Sequence, residues 1–81
     1  METLDLPKIN FAKFDGDFFI IKIDLQEYKW KVNDISVILT NASIKDRNDF
    51  KISPSGYGIS WPNLDEDLSL NGLLKNKNCI V

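Results

Sequence analysis

From Phe11 to Asp24, "FAKFDGDFFIIKID", two runs rich in aromatic and β-branched hydrophobic residues flank the polar pair Asp15-Gly16. This pattern predicts a β-hairpin whose two turn residues take positive φ. Past the turn, Phe19, Ile21 and Ile23 fall on one face, and Phe18 and Ile20 share the other with Lys22 and Asp24. A second turn is expected around Gln26 and Glu27. The cleanest alternation follows, with Tyr28, Trp30 and Val32 inward and Lys29 and Lys31 outward, which describes a strand with one wet face.

At Asp34 the period changes. Ile35, Ile38, Leu39 and Ala42 recur at helical spacing and predict a short helix, and Ser43 with Asp46 three residues on is a helix-start pattern for a turn through Ile44 to Asn48. The two helices are expected to form one layer against the sheet. Period two then returns: Phe50 and Ile52 point inward, Pro54-Ser55-Gly56 reverses the chain, and Tyr57, Ile59 and Trp61 point inward on the way back. Gly58, inside that returning strand, predicts a bulge or a close approach by another group. Pro62 removes a ladder donor and ends the strand. Ser69 supplies an N-cap for a closing helix that docks Leu70, Leu73 and Leu74. The fold expected is α+β: one domain over residues 1–75, with an antiparallel sheet of about five strands (two hairpins plus one strand), short helices on one face, and a flexible tail at residues 76–81.

Composition narrows the function classes. A chain of 81 residues builds only a small core, so its large rings must fill it, and Trp30 and Trp61 are its expected anchors. Cys79 is the single cysteine, so no disulfide forms within the chain and a reducing compartment is expected. The longest apolar run, Phe18 to Ile21, is far too short to span a bilayer. These features predict a cytoplasmic protein with no membrane association. A net charge of −2 and a pI near 4.9 argue against direct binding to DNA. The Lys29 and Lys31 pair reads either as an anion-binding ridge or as a solvated strand face.

Catalytic chemistry has few candidates. The chain has no histidine, which removes the usual neutral-pH base and the nucleophile pairs built on it. No phosphate loop or dinucleotide fingerprint is present. The remaining cluster is Asp65-Glu66-Asp67. In an extended segment Asp65 and Asp67 project to one side, about 7 Å apart, where they could share a hard divalent cation or act as an acid/base pair. Carboxylates just before a helix also interact favourably with its dipole, and an exposed acidic run is a surface for a partner. No catalytic, cofactor or metal-binding residue is assigned. Asp65, Glu66 and Asp67 are the candidate partner-binding residues, and Gly58, Trp61, Pro62, Ser69, Leu73 and Leu74 form the structural motif around them.

The stretch "GYGISWPNLDEDLSLNGLL" resembles the closing motif of a bacterial family of small proteins, domain-of-unknown-function family twenty-four forty-two. That motif has a glycine, an aliphatic residue, a Trp-Pro pair, an acidic run and a terminal Leu-Leu. It is matched by Gly58, Ile59, Trp61, Pro62, Leu64, Asp65, Glu66, Asp67, Leu68, Ser69, Gly72, Leu73 and Leu74. A looser similarity through Ala42, Ser43 and Arg47 extends it to about Phe18 to Leu74. Members tend to carry a proline near Ile35 to Leu39, where this chain has none. The resemblance implies a small α+β domain with an antiparallel sheet and no established activity. It also implies frequent encoding beside a second small protein, with some members being toxin–antitoxin components. Three readings follow: a non-enzymatic module that binds an unidentified protein or itself; an accessory or antitoxin-like subunit of a nucleic-acid-directed system; and a metal-dependent enzyme using Asp65 and Asp67.

Overall fold

The computed structural model describes residues 8–76 and 79. The architecture is α+β, as expected, but its strands form two antiparallel three-stranded sheets rather than one sheet of five. The first sheet, in the order β1-β2-β3, consists of β1 (Phe11–Asp15), β2 (Phe18–Ile23) and β3 (Gln26–Lys31). The second, in the order β4-β5-β6, consists of β4 (Lys51–Ile52), β5 (Gly58–Trp61) and β6 (Glu66–Ser69). Between β3 and β4 lie three short helices, α1 (Val32–Ile35), α2 (Val37–Thr40) and α3 (Ile44–Asn48), and α4 (Leu70–Leu74) follows β6. The helices separate the two hairpin systems in sequence, and no strand of one sheet pairs with a strand of the other.

Both early turns fall one or two residues from their expected positions. Asp15 pairs with Phe18, so the first loop is Gly16-Asp17, and of these two only Gly16 has positive φ, at 60°. Ile23 pairs with Gln26, so the second loop is Asp24-Leu25 and not Gln26-Glu27. There Asp24 takes φ 54° while Asn10 accepts a hydrogen bond from its backbone N–H through Oδ1. That side-chain bond supports a left-handed residue that glycine would otherwise be expected to fill. Leu25 is left fully outside the core.

The helix expected from Asp34 is broken at Ser36, whose φ of −162° and ψ of 120° are extended. Ser36 ends α1 and caps α2, its Oγ accepting from the Leu39 N–H at 3.1 Å. Of the proposed stripe, Leu39 is fully buried and Ile35 half-buried, but Ile38 is 45% exposed, since the break rotates it off the core face. α3 forms as predicted, with Ser43 Oγ accepting from Asp46 N–H.

One core unites the layers. Phe19, Ile21, Trp30, Leu39 and Trp61 are the largest fully buried side chains. Phe14, Phe19 and Phe50 surround Trp61, with ring centroids 5.8 to 6.2 Å from it. Trp61 Nε1 donates to the Arg47 carbonyl at 2.8 Å, tying β5 to α3. Of the tail expected at residues 76–81, residues 77, 78, 80 and 81 lie outside the described residues, and Cys79 is half-buried against the core.

Candidate functional site

The second hairpin brings the closing motif together. Gly56 N–H donates to Ser53 C=O at 2.8 Å, and Ser53 N–H donates to Gly58 C=O at 2.9 Å. Gly56 takes φ 81°, and a Cβ there would lie 2.9 Å from Lys8 Cβ, while Ile9 N–H donates to the Gly56 carbonyl at 2.9 Å. Within this hairpin the glycine that the fold demands is therefore Gly56, where the incoming segment crosses the turn. At Gly58 a Cβ would meet its nearest neighbour, the Leu68 carbonyl, at 3.6 Å, an ordinary contact, so neither the bulge nor the close approach expected there occurs. Tyr57, expected to point inward, is exposed because β5 begins only at Gly58.

Pro62 ends β5 and opens a single 3₁₀ turn, Pro62–Leu64, closed by Asp65 in the left-handed conformation at φ 53°. The chain then runs back along β5, with Glu66 opposite Trp61 and Asp67 opposite Ser60. This corrects the reading of the acidic run as a helix lead-in. Glu66 and Asp67 lie on a strand, and Ser69 at its end caps α4, its Oγ accepting from Gly72 N–H at 3.0 Å. Buried Leu70 and Leu73 then dock, with Leu74 half-buried beside them.

The three carboxylates have separate environments. Asp65 is exposed in the turn, and its left-handed backbone removes the extended geometry that would align it with Asp67. Glu66 is half-buried: Oε2 accepts from the Ser36 hydroxyl, and Oε1 accepts from Asp67 N–H at 3.2 Å. Asp67 is exposed on the outer face, where Gly58, Ser60 and Ser69 line an open groove of about 390 Å³. Among the described residues no group of three or more carboxylate or cysteine side chains is placed to hold a metal ion. β6 is a terminal strand of its sheet, so Glu66 and Asp67 sit on a strand that pairs on one side only, where charged side chains oppose indiscriminate strand pairing.

Sequence reasoning missed Ser36. It is buried at 7% exposure and joins the acidic strand to the helical layer through Glu66. The signal was present in "DISVIL", where a lone serine interrupts an apolar run three residues before a backbone N–H it can cap.

The family model described as "Protein of unknown function (DUF2442)" matches residues 11–78. The chain belongs to the DUF2442 family. This match runs upstream of the span Phe18 to Leu74, taking in β1. A crystal structure of a protein of unknown function from Rhodospirillum rubrum is similar to this DUF2442 chain with a TM-score of 0.75 and 27% identity, covering 86% of this chain and 87% of that one. The inner kinetochore subunit NKP1 of Kluyveromyces lactis is 37% identical over 62 residues, or 74% of this chain and 30% of that protein. The chain thus spans less than a third of that relative's length. Neither the family description nor the similar structure carries an established activity, and no described helix is long and apolar enough to cross a membrane.

Proposed function

We propose that this DUF2442 domain is a non-enzymatic interaction module that binds a protein partner through the open edge of β6. The supporting observation is the placement of the acidic run on that edge, with Asp65 and Asp67 exposed and Glu66 anchored to Ser36. A terminal strand offers backbone groups for pairing, with the Asp67 N–H already taken by Glu66 Oε1, and flanking carboxylates select a basic segment while repelling a like-charged second copy. A partner encoded beside the gene, which the family resemblance implies, fits this reading, and so does a cytoplasmic setting. The test is affinity capture from the native cell with wild type and with the double variant Asp65→Asn, Asp67→Asn. Wild type should retain a protein that the equally folded double variant releases. Equal retention by both would remove the acidic edge from the interface.

A second reading, as an accessory or antitoxin-like subunit of a nucleic-acid-directed system, gains support from the first sheet. In register across the first sheet, Phe11, Lys22 and Glu27 form one outward row, Lys13, Ile20 and Lys29 a second, and Asp15, Phe18 and Lys31 a third. Four lysines against two carboxylates make this face locally basic although the chain is acidic. Ile20 is buried at 6% exposure on this outward face, between two lysines whose stems are apolar. The metal-enzyme reading draws no support from the separated positions of Asp65 and Asp67.

A further inference from the structure

Apart from the β6 edge, the basic face continues around Lys31 into a cleft of about 330 Å³, where Lys31 meets Arg47. Arg47 is held in place: Nε donates to the Leu39 carbonyl at 2.7 Å and Nη2 to the Thr40 carbonyl at 3.0 Å. These bonds fix the guanidinium against the end of α2 and leave its other N–H groups without a partner among the described residues, since a guanidinium has more donors than two carbonyls consume. Lys31 and Asn33 line the same cleft, and neither side chain has a hydrogen bond or ion pair among the described residues. Thr40 contributes no donor, because its hydroxyl already donates to the Ser36 carbonyl at 2.7 Å. Phe18 forms an apolar wall, covered on one side by Lys29 Nζ at 4.3 Å from the ring centroid.

We propose that this cleft is a seat for a phosphoryl oxyanion, held by Lys31, Asn33 and the free edge of the Arg47 guanidinium. Three separate donor groups line one volume, which matches the several equivalent oxygens of a phosphoryl group better than the two of a carboxylate. Because Arg47 is already oriented, binding costs little of its side-chain freedom. Asp17 lines the cleft as well and pairs with neither cation, so its carboxylate opposes the ligand and holds the affinity down. The phosphoryl group has two sources, free phosphate and a nucleotide, and Phe18 gives the second a wall against which a base could rest.

The test is amide chemical-shift titration of the full chain at constant ionic strength with inorganic phosphate, uridine monophosphate, a short oligouridylate, and acetate as a planar-carboxylate control. Phosphate should shift Asn33, Thr40 and Arg47 and leave β6 unmoved. Lys31→Gln should weaken binding about fivefold or more, and Asp17→Asn should tighten it about two- to fivefold, as removal of an attractive or repulsive charge requires. Neither variant threatens the fold, since the Lys31 side chain makes no cap hydrogen bond and Asp17 is tied to Val32 only through its backbone carbonyl, at 2.8 Å. Tighter binding of either nucleotide than of phosphate would assign the seat to nucleotides, and equal binding would assign it to free phosphate. The proposal is overturned if no phosphoryl probe shifts the cleft, if acetate binds as well as phosphate, or if affinity is indifferent to Lys31→Gln.

Discussion

Single residues set the limits of this fold, and its two tryptophans show how differently the same side chain can be held. Both are fully buried, so replacing either by Ala should cost about 3–5 kcal/mol, enough to leave a domain of this size largely unfolded. Their polar atoms differ: Trp61 Nε1 donates to the Arg47 carbonyl, whereas Trp30 Nε1 is buried with no partner among the described residues. Trp61→Phe leaves the Arg47 carbonyl without its donor, but Trp30→Phe removes a donor that had nothing to bind. The first should therefore be the more destabilising by about 1–3 kcal/mol in urea denaturation. Equal losses would mean that the Arg47 contact contributes nothing. The glycines divide similarly. Gly56→Ala meets both a positive φ and a 2.9 Å approach to Lys8, and should cost about 1–2 kcal/mol or more, whereas Gly58→Ala should be nearly neutral. Comparable melting temperatures for the two variants would contradict the crossing of the Lys8 to Ile9 segment over this turn.

Elements were legible in the sequence wherever a local pattern decided them. The alternation in Phe19, Ile21 and Ile23, the Ser43 and Asp46 helix start, the stop at Pro62 and the Ser69 cap are each fixed by neighbours a few residues away, and each forms as expected. Asp65 to Ser69 was misread because a strand four residues long with two charges at its start gives no apolar alternation. Its pairing depends on β5, which the sequence places next to it only after the 3₁₀ turn at Pro62 is known. The fused five-stranded sheet failed for a related reason: local periodicity identifies strands but does not say which of them pair. The division at Ser36 shows a local preference overriding a helical stripe, and its consequence is tertiary. Ser36→Ala removes both the α2 cap and the Glu66 contact, and should cost about 1–2 kcal/mol. Ser36→Ala combined with Glu66→Gln should cost less than the sum of the two single changes. Strict additivity in denaturant would show that the two side chains do not act on each other. By contrast, Asp65→Asn with Asp67→Asn should leave the melting temperature within a few degrees of wild type, because neither carboxylate caps a helix. A large loss would restore the helix-end role.

For the whole molecule, two surfaces of opposite charge are carried on the two sheets of a single core. The acidic edge of β6 follows from the run Asp65 to Asp67, and the lysine-bearing face of β1, β2 and β3 lies on the other hairpin system. An acidic chain can thus present a basic face without a basic composition: net charge alone argued against direct DNA binding, while the register of three strands brings four lysines together. The proposed division of labour has the β6 edge engaging a protein while the cleft beside Lys31 holds an oxyanion. The most direct measurement of the central claim is amide hydrogen exchange of the full chain, free and in complex with the captured partner. Slowed exchange confined to Asp65 through Ser69 and the adjoining turn is the expected result, with α1 to α3 unchanged. Protection confined to the first sheet or the helices, with β6 exchanging as in the free protein, would contradict the assignment of the acidic edge as the binding surface.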